Sequence, residues 1–512
     1  MSRPAVLVID VGTTRIKTAL FDLSCRCIDG VSQAHESGEL GSAVRRTGRW
    51  LRIISECNGT LLPRNPDWRI VGVGVTGFMH SVSALTEDGT RLPLDLGDGD
   101  PRTCYQEMLD RFGGAADIYR RTGGRLDVTS VPPQLLAWRD HDPSAFSRIA
   151  TLLPVKDFVR YCLTGEVATD EIDACGTLLY DVHRRRWDTE LLSHCGLALH
   201  NLPPVAHCTE RAGRVTPRAS AEFGVPAGIP VAIGGGDDIE ILGTGARAPG
   251  HLCEHVGSTG SLLLPLRTAL SDPACRLELS PAVTRGEWVL AGPCSNVTRV
   301  LDWFLRSSAY SSSGRTDWGR VLSDLQNAMS SLDGERPLFL PYLHGERAPI
   351  WDPDVTGTWI GLRSRHTLAD LLLSVVEGIS FSLRSVLEAY IDLGMKVTVV
   401  HSSGGFNELD TRRLRASLYR APVRLVRDTD PTSFAIAALT LCAIDALGNP
   451  LDALSSLQFE EDVEPVPQWQ DMLEERFARF SDLTGRVSRA AAVPGRDAGL
   501  QETPGRPSSV SM

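Results

Sequence analysis

Two adjacent carboxylates follow a glycine-rich stretch near the middle of the chain. The sequence Pro230-Val-Ala-Ile-Gly-Gly-Gly-Asp-Asp reads as an apolar strand, three glycines and then Asp237 and Asp238. A carboxylate at the end of a strand is held by the sheet yet open to a cleft, and the glycines allow a ligand to approach the backbone. Because such a group can accept the proton of a reacting hydroxyl, Asp237 is a candidate general base. The alternative is that both residues cap a following helix, whose N-terminus attracts negative charge.

The start of the chain carries a second candidate for chemistry, the segment Asp10-Val-Gly-Thr-Thr. The flanking residues are strand-like, so we expect a β-hairpin with hydroxyls at its tip. Backbone N–H groups and the hydroxyls of Thr13 and Thr14 can donate hydrogen bonds to phosphate oxygens, and Lys17 adds positive charge. Asp10 cannot hold phosphate directly, and its expected task is to orient hydrated Mg²⁺ that bridges the phosphates. An ordinary hairpin turn is the competing interpretation.

The later half of the chain repeats this pattern. Apolar arms flank a second tip that offers Ser258 and Thr259 to the same ligand. Farther along, Gly404 and Gly405 permit close approach of a base or ribose, with Asn407 as a polar partner. Each loop alone is compatible with a plain turn, but the combination predicts the binding of one nucleotide. Together with the candidate base, it predicts transfer of phosphate from ATP to a hydroxyl.

Composition limits the classes of function. The chain has 512 residues, 42% of them hydrophobic and 22% charged, which indicates a globular protein of two or more domains. The formal net charge of -11 and the lack of a Lys/Arg-rich run in the sequence argue against nucleic-acid binding. The sequence shows neither a membrane-length apolar stretch nor a secretory signal, so we expect a cytoplasmic protein without membrane partners. The 12 cysteines are scattered, which favours free buried thiols over zinc sites. The sequence is compatible with a homodimer but does not establish one.

We expect an α/β fold built from two related halves. Strands, a glycine turn and helical periodicity occur twice in the same order. We predict an N-terminal domain over residues 1–247, with the first hairpin and the candidate base, and a nucleotide-binding C-terminal domain over residues 248–486. Residues 487–512 are rich in Pro, Gly, Ser and Arg, and we predict that they form a disordered tail.

Several widely separated motifs point to a known family. They are Ile9-Asp-Val-Gly-Thr-Thr, Thr76-Gly-Phe-Met-His-Ser, Leu153-Pro-Val-Lys-Asp-Phe-Val-Arg-Tyr-Cys-Leu-Thr-Gly-Glu, Thr169-Asp-Glu-Ile-Asp-Ala-Cys-Gly-Thr, Gly234-Gly-Gly-Asp-Asp, Phe339-Leu-Pro-Tyr-Leu-His-Gly-Glu-Arg-Ala-Pro and Ser403-Gly-Gly. With these motifs in this order, the chain resembles the FGGY family of carbohydrate kinases over most of its length. Within that family it most resembles the xylulokinase branch.

The resemblance implies two actin-like, ribonuclease H-like domains with an ATP cleft between them. Domain closure then excludes water, so that phosphate reaches the sugar rather than solvent. The resemblance also implies that Asp237 is the general base and that Asp10 serves the metal and the phosphates. Met79, His80 and Asp238 are the positions expected to contact the sugar.

Less specific matches and departures bear on the substrate. Asp100 and Arg102 match a family Asp-x-Arg element near the sugar, and Trp318 lies where a xylulokinase aromatic residue flanks the nucleotide. The tryptophan usual before the Asp-x-Arg element is absent, and the usual Gly/Ala-rich helix on the adenine side is replaced by Asp430-Pro-Thr-Ser-Phe-Ala. We expect a ketopentose such as D-xylulose as the substrate. Gluconate or another polyol-like sugar is the alternative, and Arg102 could supply a cation for a sugar carboxylate.

Two proteins of other kinds stay open. An actin-like or chaperone-like ATPase uses a similar fold and similar phosphate hairpins without a sugar acceptor. A catalytically weak sugar-binding regulator is the other possibility. The acceptor-side pairs Met79-His80 and Asp237-Asp238 distinguish the kinase from the ATPase, whereas the altered adenine side leaves the regulator open.

Overall fold

The computed structural model describes residues 2–35, 47–94, 96–97, 99–312, 314–330, 335–427 and 430–491. The strands of the first half are β1 (Arg3–Val11), β2 (Arg15–Asp22), β3 (Cys27–Ala34), β4 (Trp68–Gly77), β5 (Val82–Leu85), β6 (Arg91–Leu92), β7 (Thr151–Pro154), β8 (Thr169–Asp170), β9 (Tyr180–Asp181), β10 (Arg186–Trp187), β11 (Val205–Ala206), β12 (Arg211–Arg214), β13 (Pro230–Ala232) and β14 (Gly235–Gly236). Its helices are α1 (Thr47–Arg64), α2 (Pro101–Phe112), α3 (Ala115–Thr122), α4 (Val131–His141), α5 (Pro143–Phe146), α6 (Val155–Thr164), α7 (Glu171–Gly176), α8 (Thr189–His194), α9 (Pro217–Phe223) and α10 (Glu240–Gly243).

The second half contains the remaining elements. Its strands are β15 (His251–Val256), β16 (Gly260–Leu266), β17 (Glu278–Pro281), β18 (Trp288–Cys294), β19 (Ser311–Ser312), β20 (Arg315–Thr316), β21 (Leu338–Leu340), β22 (Thr358–Ile360), β23 (Val399–Gly404) and β24 (Val423–Leu425). Its helices are α11 (Thr298–Arg306), α12 (Trp318–Ser330), α13 (Leu368–Asp392), α14 (Leu409–Tyr419), α15 (Pro431–Ala443) and α16 (Pro467–Ala491). Short 3-10 turns occur at Leu199–Asn201, Asp237–Ile239 and Pro450–Ser456.

The first large sheet has the strand order β12-β13-β4-β1-β2-β3, and β14 pairs with the end of β4. Strands β1, β2 and β3 form an antiparallel meander, and β4 runs parallel to β1. Successive residues of β1 point to opposite faces. Leu7 and Ile9 join the apolar cluster of α1, whereas Val6 and Val8 join that of α15. By this alternation Asp10 faces the α15 side.

The second large sheet has the order β17-β18-β16-β15-β23-β24. Strands β15, β16 and β18 again form an antiparallel meander, and β23 and β24 again continue the sheet in parallel. They correspond one by one to β1, β2, β3, β4 and β13 of the first sheet. The repeat expected from the sequence is therefore present as two sheets of the same topology.

Helices α10 and α15 lie between the two sheets. Helix α15 packs on β1 and β4, although the boundary predicted from the sequence assigns this segment to the second domain. Helix α10 contacts α15, and its Ile241 joins the apolar cluster on one face of the second sheet. The short segment between the candidate base and the second half is thus held by both halves.

The end of the chain departs from the expectation. Helix α16 continues to Ala491, because Leu483 and Val487 pack against the core of the second half. The predicted tail therefore begins inside a helix, and the rest of that prediction, residues 492–512, lies outside the described residues. In the described segments, no helix has the length and apolarity needed to cross a membrane.

Candidate active site

A cleft of about 2370 Å³ opens between the two halves. Its walls contain most of the residues singled out from the sequence, namely Asp10, Thr13, Thr14, Lys17, Met79, His80, Asp100, Arg102, Asp237, Asp238, Ser258, Thr259 and Gly404. Trp318, Gly405 and Asn407 are described but do not belong to this lining. Segments from both ends of the chain and from its middle thus meet in one place.

Strand β14 carries the two adjacent aspartates into the cleft. It pairs with the end of β4, where the Thr76 hydroxyl donates to the carbonyl of Gly235 at 2.8 Å. Asp237 and Asp238 then begin the short 3-10 turn that leads into α10. Neither side chain caps this turn or α10, and neither makes a hydrogen bond or close ion pair with a residue that the structure describes. The helix-cap alternative is not realised, and both carboxylates are available to a ligand.

The environment of these carboxylates suits proton transfer. Loss of water contact raises the pKa of Asp237 well above its ordinary value, and the negative charges of Asp238, Glu240 and Asp10 raise it further. Desolvation also raises the pKa of Asp238, to about 7, while His80 opposes the rise. A carboxylate whose pKa is raised toward neutrality is a stronger base than an ordinary one.

The first hairpin brings Asp10 and Lys17 together as cross-strand neighbours. The Nζ atom of Lys17 lies 2.7 Å from Oδ2 of Asp430 and 3.6 Å from Oδ2 of Asp10. Asp430 also caps α15 by accepting the N–H of Ser433 at 2.9 Å. Burial lowers the pKa of Lys17, but the two carboxylates outweigh this effect and raise it to about 12. The ammonium therefore stays charged beside the tip that carries Thr13 and Thr14.

The second hairpin is anchored to the start of α11. The N–H of Thr298 donates to the carbonyl of Gly257 at 3.0 Å, and the N–H of Arg299 donates to the carbonyl of Ser258 at 3.3 Å. These bonds use backbone carbonyls of the tip. Ser258 and Thr259 line the cleft, and their role as phosphate ligands stays a prediction from the sequence.

Gly404 lies at the end of β23, next to the base of the second hairpin. It pairs with Val256 and has a φ of +94°, in the left-handed region that favours glycine. A Cβ at this position would lie 2.7 Å from the carbonyl oxygen of Val256. The glycine therefore allows the strand end to reach the cleft without a clash.

We call the part of the cleft around Met79 and His80, where the sequence predicts sugar contacts, the acceptor side. Met79 is buried against the glycine before the candidate base, because a Cβ on Gly236 would lie 2.6 Å from its Cγ. His80 has a φ of +62°, and its Nδ1 lies 3.1 Å from the carbonyl oxygen of Gly176. A left-handed backbone at a residue other than glycine often marks a functional site. His80 lines the cleft close to Asp238. Burial, and next the charge of Arg347, lower the pKa of the imidazole, which favours the neutral ring.

Four of the remaining predicted ligand residues are held elsewhere or sit at the margin. Asp100 caps α2 and accepts the N–H of Arg102 at 3.0 Å, and Arg102 itself is exposed on the cleft wall. Trp318 begins α12 with 51% of its surface exposed. The side-chain oxygen of Asn407 accepts a hydrogen bond from Arg415 at 2.6 Å. The ligand roles of these residues and of Gly405 stay predictions from the sequence.

The cleft also contains charged groups to which the sequence gave no ligand role. Glu240 lies with its Oε2 3.0 Å from Nδ1 of His255, and both line the cleft. Glu278 lines the acceptor side, where desolvation raises its pKa to about 7 although Arg347 opposes the rise. The sequence signal for these two residues was their position, because His255 lies just before the tip of the second hairpin and Glu240 follows the aspartate pair. Nothing in the short strand β17 marked Glu278.

The cleft fits a hydrated Mg²⁺ rather than a fully protein-bound metal. The described residues contain one group with metal-ligand spacing, Asp157, Asp170 and Asp173, but the ammonium of Lys156 lies 2.6, 2.7 and 3.2 Å from these three carboxylates. In the cleft, Asp10 offers a single buried carboxylate whose pKa is raised to about 6, chiefly by desolvation. Mg²⁺ commonly keeps several waters and binds one or two carboxylates together with phosphates. Asp10 suits that arrangement.

Comparison with known proteins agrees with this geometry. Residues 5–242 match the N-terminal domain and residues 255–444 match the C-terminal domain of the FGGY family of carbohydrate kinases. The chain is 27% identical over 427 residues to the xylulose kinase of Bacillus subtilis (strain 168), covering 82% of this chain and 84% of the relative. It is 25% identical over 467 residues to the gluconokinase of the same strain, covering 88% and 90%. The gluconate kinase structure from Lactobacillus acidophilus superimposes with a TM-score of 0.85 at 22% identity, covering 96% of this chain and 99% of that one.

These matches confirm the predicted fold of two actin-like, ribonuclease H-like domains around a cleft. They also confirm an ATP-dependent phosphotransferase that acts on a carbohydrate, and they decide against an actin-like ATPase without a sugar acceptor. The chain belongs to the FGGY family of carbohydrate kinases.

Proposed function

We propose that this kinase transfers the γ-phosphate of ATP to a hydroxyl of a ketopentose such as D-xylulose, with Asp237 as the general base. The observation that carries the proposal is the carboxylate of Asp237, which lies in the cleft without a hydrogen-bond partner among the described residues and has a raised pKa. Asp237 is close enough to Asp10 of the first hairpin and His255 of the second to interact with their charges, and the preceding Gly236 packs on Met79.

The reaction requires one proton acceptor and a fixed geometry. As the sugar oxygen bonds to the γ-phosphorus, its proton passes to the carboxylate of Asp237, and the bond between the γ-phosphorus and the β,γ-bridging oxygen breaks to release ADP. Asp238 and His80 are positioned to hold neighbouring sugar hydroxyls, one as an acceptor and the other through its ring nitrogen. The sheet fixes Asp237 through β14, so little reorganisation is needed during transfer.

The phosphate side needs positive charge and hydrogen-bond donors. Lys17 and the hydroxyls of Thr13, Thr14 and Thr259 line the cleft for this task. Asp10 would hold Mg²⁺ through water, and the ion would neutralise charge on the transferring phosphoryl group. Closing of the two halves around the substrates would exclude water and so disfavour hydrolysis of ATP.

The acceptor side is rich in groups that can bind sugar hydroxyls. Asp127, Asp238 and Glu278 lie near His80 and Arg347, and all five residues line the cleft. Carboxylates accept hydrogen bonds from sugar hydroxyls, which suits a ketopentose.

Gluconate is the second candidate. The similarity to a gluconokinase is almost as high as that to a xylulose kinase, at 25% and 27% identity. Arg102 is exposed on the cleft wall and could bind the carboxylate of a sugar acid.

ADP release in the presence of a panel of ketoses, polyols and sugar acids tests the proposal. We expect the highest kcat/KM with a ketopentose, loss of transfer in Asp237→Asn, and retained nucleotide binding in that variant. Sugar phosphorylation at the wild-type rate by Asp237→Asn would contradict the assignment of the base. Preference for gluconate, lost in Arg102→Gln, would establish the second candidate. Absence of turnover with every sugar, together with sugar binding, would point to the regulator.

A further inference from the structure

His255 occupies, in the second sheet, the position that Asp10 occupies in the first. The two sheets share one topology, and the ends of their central parallel strand pairs correspond. These end pairs are Val11 with Gly77 and Val256 with Gly404. Asp10 and His255 each stand one residue before the valine, and both line the cleft. The fold therefore presents two side chains at matching sites on its two walls, one acidic and one basic.

The imidazole of His255 is held in a defined tautomer. Its Nδ1 lies 3.0 Å from Oε2 of Glu240, whose Oε1 accepts the hydroxyl of Ser261 at 3.0 Å. The side chain of Glu240 is only 8% exposed. An ionised carboxylate only accepts hydrogen bonds, so Nδ1 of His255 must carry the hydrogen. The hydroxyl of Ser403, 3.1 Å from the same nitrogen, lies on the neighbouring strand.

The other ring nitrogen faces the tip of the second hairpin. A Cβ on Gly257 would lie 2.5 Å from Nε2 of His255, so this nitrogen is close to the backbone of the phosphate loop. Nε2 makes no hydrogen bond with any residue of the described ranges. A phosphate oxygen can only accept a hydrogen bond, and with Nδ1 already protonated, Nε2 can donate only when the ring is doubly protonated.

We propose that His255, as an imidazolium oriented by Glu240, donates a hydrogen bond to a phosphate of ATP and is the cationic counterpart of Asp10. This role rests on the proposed phosphoryl transfer in the same cleft. In this role, His255 is a cationic phosphate ligand from the second half, and it acts together with the ammonium of Lys17 from the first half. The transferring phosphates would then be held from both walls when the cleft closes.

The charges around His255 favour the protonated ring. Burial lowers its pKa, but Glu240 outweighs that effect and raises the pKa to about 8. Lys17 on β2 opposes the rise, and Asp430 at the start of α15 supports it. The carboxyl groups of Asp10 on β1 and of Asp237 also interact with the ring. Because the pKa is raised, the cation is present at neutral pH and is lost as pH rises through about 8. Nucleotide binding should therefore weaken on the alkaline side.

Binding of ADP and of a nonhydrolysable ATP analogue, measured by calorimetry between about pH 6 and about pH 9, tests this role. We expect the wild-type Kd to rise about tenfold across the alkaline limb. His255→Gln keeps a donor near Nε2 but does not titrate, so its binding should lack that limb. Glu240→Gln should move the limb to lower pH, because the ring loses the carboxylate that holds its proton. His200→Gln, at an exposed histidine in the first half, is the control and should bind as the wild type does.

The outcomes separate this role from a purely structural one and from the proposed reaction. If His255→Ala lowered thermal stability but left the nucleotide Kd and its pH dependence unchanged, His255 would be only a contact between the halves, and the proposal would be wrong. An unchanged alkaline limb in His255→Gln would also overturn it. Because the readout is nucleotide binding, it does not depend on which sugar is phosphorylated or on Asp237 as the base.

Discussion

The ammonium of Lys156 is buried among three aspartates below the cleft. Its Nζ lies 2.6 Å from Asp157, 2.7 Å from Asp170 and 3.2 Å from Asp173, and no part of its side chain is exposed. It also donates to the carbonyl of Ile233 at 3.4 Å, just before the glycines that carry the proposed base. We predict that Lys156→Met weakens both the fold and the support of the catalytic loop.

The magnitude follows from the charges that remain. Methionine is close to lysine in length, so the substitution removes a charge with little change in packing. Burial raises the pKa of Asp173 well above its ordinary value, so this carboxyl group is the one of the three that most readily takes up a proton. With a proton on Asp173, Lys156 and Arg160 balance Asp157 and Asp170. Removing the ammonium leaves one buried carboxylate without a counter-ion, which costs about 3 to 5 kcal/mol.

The loss should depend on pH. In the variant, the unpaired carboxylate can avoid the cost by binding a proton, so its pKa in the folded state rises above the unfolded value of about 3.9. A group with a raised folded-state pKa contributes stability at low pH that is lost as pH rises through that pKa. The stability difference between the wild type and Lys156→Met should therefore widen from about pH 5 to about pH 8.

Denaturant midpoints measure this effect better than a single free energy, because a two-domain chain need not unfold in one step. Lys396→Met makes the same chemical change at an exposed lysine and should alter stability by less than about 0.5 kcal/mol. Adding Asp170→Asn to Lys156→Met should restore most of the loss, whereas adding Asp173→Asn should restore little. Equal midpoints for the Lys156 and Lys396 variants at about pH 8 would refute the reasoning about the buried charge.

Three further changes test the geometry of the cleft. Gly236→Ala places a Cβ 2.6 Å from Cγ of Met79, and we expect a KM for the sugar raised at least about tenfold with the KM for ATP little changed, measured by steady-state kinetics. Gly404→Ala puts a side chain on a left-handed backbone and a Cβ 2.7 Å from the carbonyl oxygen of Val256, so the melting temperature and the nucleotide affinity of the variant should both fall. An unchanged Kd for ADP would show that the end of this strand is not part of the nucleotide site. Lys17→Met removes a partly buried cation and should raise the Kd for ATP about tenfold or more without a comparable change for the sugar, which equilibrium binding of each ligand alone can check.

The sequence was sufficient to locate two carboxylates that line the cleft, because each belongs to a short local pattern. Asp10 in its hairpin and Asp237 after its glycines could be identified because strand, turn and carboxylate are adjacent in the chain. The helix-cap alternative for Asp237 was equally consistent with the sequence. It was resolved only by the 3-10 turn, which leaves the carboxylate without a backbone partner in the described residues.

The ion pairs that set the charge of the cleft could not be predicted in the same way. Lys17 binds Asp430, which lies 413 residues farther along the chain. From the sequence, the segment that begins at Asp430 appeared only as a departure from the usual adenine-side helix. In the structure its first residue both caps α15 and holds a cation of the first hairpin. Such contacts depend on how α15 crosses to the first sheet, which no local pattern specifies.

The two halves contribute different charged groups to the cleft. The first half supplies the carboxylates of Asp10 and Asp237, and its cation Lys17 is paired with Asp430, while Glu240 is paired with His255 of the second half. For a polyphosphate, a divalent ion and donors of the second half would add to the cations that the first half supplies. The corresponding position on the opposite wall carries His255, so the duplicated fold can use one backbone site for a metal-side carboxylate and its copy for a phosphate-side cation.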